Sequence, residues 1–121
     1  MNWPENLVSQ VWGKATIVEG YDPDKYRKDA CGAWIMRDKH GVIHNYGWEI
    51  DHIYPKSLGG NDDIENLRAL HYLNNKSKGD DYPRYKVAVS SNGNRNEEVS
   101  RYIIVNEQTQ KRLYVLYGNK T

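Results

Sequence analysis

The residues best equipped for chemistry fall in one stretch: Glu49-Ile50-Asp51-His52-Ile53-Tyr54-Pro55, Ser57-Leu58-Gly59-Gly60, Asn66-Leu67-Arg68-Ala69-Leu70 and Asn74-Asn75-Lys76-Ser77-Lys78. The adjacent Asp51 and His52 put a hard anionic oxygen beside an imidazole. An imidazole ordinarily titrates at about pH 6.5, so at neutral pH it is free to accept a proton. Side-chain amides add neutral oxygen donors, and a carboxylate with an amide suits an ion such as Mg²⁺ completed by water. An Asp-His pair is common by chance. This one lies in a β-prone run, is followed by a Gly-Gly loop and is answered by amides further along.

Elements of three zones must position these groups. Leu7, Val8, Val11 and Trp12 have helical spacing, and Pro4 with Glu5 suits a first turn, so residues 6–12 form a short amphipathic helix. Gly20 to Asp24 is turn chemistry; Tyr26 to Asp29 reads as a helical turn, Ala33 to Met36 as a strand, and Lys39-His40-Gly41 as a turn into a second extended piece. After residue 81, Tyr85 to Val89, Val99 to Val105 and Leu113 to Tyr117 are rich in Val, Ile and Tyr, which predicts a C-terminal β-meander. Neighbouring residues on a regular strand point to opposite faces, so Asp51 and His52 serve one site only if their strand twists, bulges or ends nearby; Pro55 fits an ending.

A chain of 121 residues has the size of one domain. Four Trp and ten Tyr with no Phe give large ring surfaces whose polar edges can stay hydrated. Trp12, Trp34 and Trp48 are expected in the core, Tyr54 in core or rim packing rather than stacked on a base, and His40 and His44 in turns. The net charge of +1 does not announce a nucleic-acid binder, although Lys76, Lys78, Arg84 and Lys86 cluster around Asp80 and Asp81. Cys31 is the one cysteine, which excludes an internal disulfide or a cysteine zinc knuckle and suits a reduced, cytoplasmic setting; it is expected to be buried and inert. No signal peptide or membrane span is read from the N-terminal residues.

The ordered set Asp51, His52, Asn66 and Asn75 resembles the HNH endonuclease family, in a His-Asn-Asn version, over about thirty residues. Residues 12–35, with Gly-Tyr-Asp-Pro and Cys-Gly-Ala-Trp, are similar to small stand-alone bacterial members. The resemblance implies an α+β chain: a ββα-metal core at 48–80, an N-terminal helical segment within 1–47, a β-rich extension at 81–121, and one domain throughout. It puts Asn66 in the second strand, within Asn66 to Leu70, although the flanking Asp62 and Glu65 also suit a capped helix start. On the helix that follows, His71, Asn75 and Lys78 share one face.

What the resemblance implies chemically is metal-dependent cleavage of double-stranded DNA to a 5′-phosphate and a 3′-hydroxyl. His52 is the general base, Asp51 and Asn75 hold one divalent ion (Mg²⁺, with Mn²⁺ or Ni²⁺ as alternatives), and Asn66 clamps the loop that aims His52. Lys78 and Lys76 meet phosphate, and His71 either supports the helix or touches the ion's outer shell. Relatives with structural zinc carry Cys where this chain has His71 and Asn74, so no structural zinc is expected. A nuclease toxin or effector, and a DNA-binding module without chemistry, remain alternatives, and a homodimer through an exposed strand edge is an open partner.

Overall fold

A computed structural model describes residues 2–118. Helix α1 spans Glu5–Trp12 and buries Val8, Val11 and Trp12, the face its spacing predicts. Strands β1, Tyr26–Lys28, and β2, Trp34–Met36, pair antiparallel. Tyr26 to Lys28 is therefore a strand and not the helical turn expected, because Thr16 and Lys28 exchange backbone hydrogen bonds on one edge while β2 pairs on the other. Beyond β2 comes one short 3₁₀ turn, Arg37–Lys39, after which His40 is extended and bridges to Trp48, and the next strand is β3.

Strand β3, Trp48–His52, pairs in unbroken antiparallel register with β4, Leu67–His71, and helix α2, Tyr72–Lys78, follows directly. The architecture is thus mixed α+β, with three small antiparallel sheets. One face of the β3–β4 hairpin places Trp48, Ile50, Leu67 and Ala69 on α1. Leu70 from its other face joins Ile53, Tyr54, Tyr85 and Val87 in a second cluster. His71 ends β4 rather than lying within the helix, and its side chain caps α2 by accepting a hydrogen bond from Leu73 N–H. Asn74, fully buried, joins α2 to its surroundings: its oxygen accepts from Ala88 and Val89 N–H, and its nitrogen donates to Val89 carbonyl and Asp29.

The C-terminal region departs from the meander expected. Strands β5, Arg84–Asn92, and β6, Arg95–Ile104, form a hairpin, but Glu107–Tyr117 is a helix, α3. Val115 and its neighbours have the β propensity that suggested a strand, yet local signals favour the helix. Asn106 caps it at Thr109 N–H, Glu107 sits at the positive end of the dipole, and Thr109, Leu113 and Tyr117 recur every four residues to form the buried face. Leu113 and Tyr117 pack beside Tyr54, with the Tyr117 and Tyr54 rings stacked at 4.9 Å. No helix among the described residues is long and apolar enough to cross a membrane.

Candidate functional site

Strand β3 ends at His52 without a bulge. That ending answers the question of facing: Asp51 points to the α2 side, against Lys78, while His52 lies on the α1 side with its ring 5.7 Å from that of Trp3. Both nevertheless line one cleft of about 180 Å³ at the strand's end, together with Asn75, Lys56 and Asp80. Hairpin and helix thus assemble Asp51, His52 and Asn75 from two elements.

The loop after β3 is built around Asn66. This residue is wholly buried and closes a 3₁₀ turn, Ile64–Asn66, just before β4 rather than inside it. Its oxygen accepts from Tyr54 N–H at 2.7 Å, and its nitrogen donates to the carbonyls of Tyr54 and Asn61 at 3.0 Å. The two glycines have distinct reasons. Gly59 has φ +110°, a conformation that disfavours any side chain, and a Cβ on Gly60 would lie 1.8 Å from Tyr54 carbonyl oxygen. Tyr117 braces the same loop by donating its hydroxyl to Asn61 Oδ1 at 2.7 Å, so α3 supports the site from behind.

That loop delivers Asp62 to His52: Asp62 Oδ1 lies 2.7 Å from His52 Nε2. A carboxylate only accepts, so Nε2 donates the proton in this contact and Nδ1 makes no hydrogen bond to Asp62. By sequence Asp62 suits a helix start, and nothing local reveals that a Gly-Gly loop folds it back onto β3.

Asp51 is buried between two cations. Arg68 Nε lies 3.0 Å from Oδ2 and Lys78 Nζ lies 3.3 Å from Oδ1. Lys78 also donates to His52 carbonyl at 3.1 Å, and its side chain has no exposed surface. Burial pushes its pKa down, an effect that Asp51 opposes and Arg68 reinforces. Lys78 is therefore not the phosphate-facing lysine expected: the helical offset from Asn75 is right, but this stem runs inward. Lys56, half exposed, lines the cleft, and Lys76 is exposed on α2.

His71 lies outside this cleft. Its Nδ1 accepts from Leu73 N–H and its Nε2 donates to Asn45 carbonyl at 2.8 Å, while burial lowers its pKa, so it serves as a neutral structural ring. Tyr54 is core, edge-on to Tyr82 at 5.1 Å. Cys31 is buried, its thiol pushed up to about 12 by burial and by Asp29.

The donor set suits a sparsely held hard cation. No group of three His, Cys, Asp or Glu side chains that could enclose an ion occurs among the described residues. Asp51 retains lone pairs beyond those facing Arg68 and Lys78, and no hydrogen bond to the described residues ties down the Asn75 amide in the cleft. One carboxylate and one amide, with water filling the remaining positions, would suit a hard divalent cation.

An oriented imidazole facing a cleft with hard oxygen donors is the equipment of a hydrolytic site. Residues 37–81 match the model of the HNH endonuclease family. HNH nucleases act on DNA, typically with a divalent metal. No curated protein and no solved structure matches the chain.

Proposed function

We propose that this chain is a metal-dependent DNA endonuclease, a ββα-metal unit of His-Asn-Asn type within a single domain. The carrying observation is that Asp51, His52 and Asn75 line one cleft with His52 Nε2 held by Asp62. Water in the cleft gives its proton to His52 Nδ1 and attacks phosphorus as the bond from phosphorus to the 3′ oxygen breaks, the departing oxygen taking a proton from solvent, while Nε2–H stays hydrogen-bonded to Asp62. Lys56 and Lys76 draw in the strand by its phosphates. Asn66 keeps the loop, and with it Asp62 and the His52 ring, in position. Asp51 and Asn75 would hold a divalent ion, Mg²⁺ by donor type with Mn²⁺ or Ni²⁺ as substitutes, which would supply charge neutralisation at the phosphoryl and departing oxygens. The products are a 5′-phosphate and a 3′-hydroxyl.

Purified protein is expected to nick or linearise supercoiled plasmid with Mg²⁺ or Mn²⁺ and to leave it intact in EDTA. Equal cutting in EDTA would overturn the reading. No cutting with any ion, while duplex is still retained, would turn it into a DNA-binding module.

Asp62 acts through His52 as a positioning residue. Asp62→Ala is expected to lower kcat by about tenfold, on the order of 1.4 kcal/mol, with KM for an oligonucleotide duplex little changed. The check is steady-state cleavage of that duplex. A residue mattering only for the loop's fold would instead lower thermal stability, and Asp62 is half exposed, so the melting temperature should hold.

A further inference from the structure

We propose that a second cleft, lined by cations and separate from that of Asp51, His52 and Asn75, binds a phosphate group. It has a volume of about 200 Å³ and lies where the exit of α1, β1, β4 and the start of α3 meet. Lys14, Lys28, Arg68 and Arg112 line it, against Glu65 as the only carboxylate among the described lining residues. A chain of net charge +1 thus gathers four cations around one small hollow.

Structural duties do not exhaust these donors. Lys14 Nζ donates to the carbonyls of Ile64 and Leu67, Lys28 lies over the Trp34 ring at 4.8 Å, and Arg112 donates to Thr109 Oγ1 at 3.1 Å with Glu65 3.7 Å from its Nε. An ammonium has three N–H groups and a guanidinium five, so each keeps some to offer. Burial lowers the pKa of Lys14, Glu65 opposes this, and Arg112 and Arg68 push it lower still, as gathered like charges must.

The independent observation is Arg68. Its Nε is committed to Asp51, yet its Nη2 is buried with no hydrogen-bond partner. A buried guanidinium nitrogen is seldom left so, and a turn of the Arg68 side chain toward the cleft it lines would let a bound anion pair with it. The N-terminal end of α3, whose Asn106 and Thr109 line the cleft, adds a favourable dipole. Cationic residues from four parts of the chain around one hollow suit an anion with several oxygens, hence phosphate, either free or in a nucleic-acid backbone. A bound phosphate would share Arg68 with Asp51, joining the two clefts through one side chain. The proposal stands whether or not the protein cleaves DNA.

The test is a backbone-amide NMR titration of the full chain in EDTA, with inorganic phosphate and separately with a short DNA duplex, at constant ionic strength. Saturable shifts at Thr16, Asn106 and Thr109 are expected, weakened at least about tenfold in Lys28→Gln/Arg112→Gln and unchanged in Lys111→Gln, an exposed lysine outside the cleft. If the double variant loses its dispersed spectrum, Arg112→Gln alone carries the comparison. Duplex shifts that inorganic phosphate displaces assign the site to backbone phosphate; shifts with inorganic phosphate alone assign it to a small anion. Absence of saturable shifts with either probe, or equal affinity in the variants, means an adventitious ion only and overturns the proposal.

Discussion

His52→Ala protein is expected to fold, to retain a divalent ion and to leave supercoiled plasmid uncut within the assay's range. A positioned general base contributes about 10²–10⁴-fold, so removing it takes cleavage down by that factor. Folding should survive because the ring makes few structural commitments. It meets Trp3 on one side and Asp62 on the other, and Asp62 is half exposed, so its truncation strands no buried charge. The backbone carbonyl of His52, which accepts from Lys78, is untouched by the substitution. Plasmid nicking read beside the melting temperature and Mn²⁺ binding by calorimetry separates the roles. Cleavage at the wild-type rate would remove His52 from the mechanism, and loss of Mn²⁺ binding would make it a ligand instead of a base.

The parts of the site that lie close together in sequence were legible there. Strand β3 carries Asp51 and His52, α2 carries Asn75, and Asn66 opens onto β4 within one residue of where the resemblance put it. These placements rest on the resemblance, while the local pattern around Asp62 and Glu65 reads as a helix start, and Ile64–Asn66 does form a capped 3₁₀ turn. Contacts made by chain reversal were not legible. Asp62 reaches His52 only because Gly59 and Gly60 allow the loop to turn back over Tyr54. Lys78 looked like a surface lysine because charged residues usually are, and only its burial against Asp51 reveals its second use. The C-terminal helix departs from its β-prone residues for a related reason. Val115, Tyr114 and Leu116 suggest a strand, but all three are exposed, and the residues that decide the structure are the cap and the four-residue repeat. The fold then uses α3 to brace Asn61 and Tyr54, a role no local signal could announce.

Asp51→Ala should produce two separable losses, in metal binding and in stability. Asp51 is 4 % exposed, and the two cations that face it are the fully covered Lys78 and the largely covered Arg68. Removing the carboxylate leaves both without their counter-charge in a poorly hydrated setting, and breaking a buried ion pair in this way costs about 3–5 kcal/mol. Urea unfolding should show that loss as a lower midpoint. Asp51→Asn keeps the shape and one oxygen but not the charge, so it should fall between wild type and Asp51→Ala in stability while binding Mn²⁺ as poorly as the latter. Lys78→Met added to Asp51→Ala replaces the unpaired ammonium by an apolar chain of similar length and should recover much of the stability without recovering metal. If instead Asp51→Ala is as stable as wild type, the cations have other partners and the ionic cluster does not hold the hairpin to α2. If its Mn²⁺ affinity is unchanged, the ion is bound elsewhere. The arrangement itself explains why such a site would be only weakly loaded in isolation. A dication placed at Asp51 meets Lys78 and Arg68 already there, and the anionic phosphates of the substrate are what tilt that balance. Mn²⁺ should therefore bind more tightly in the presence of a non-cleavable duplex than in its absence.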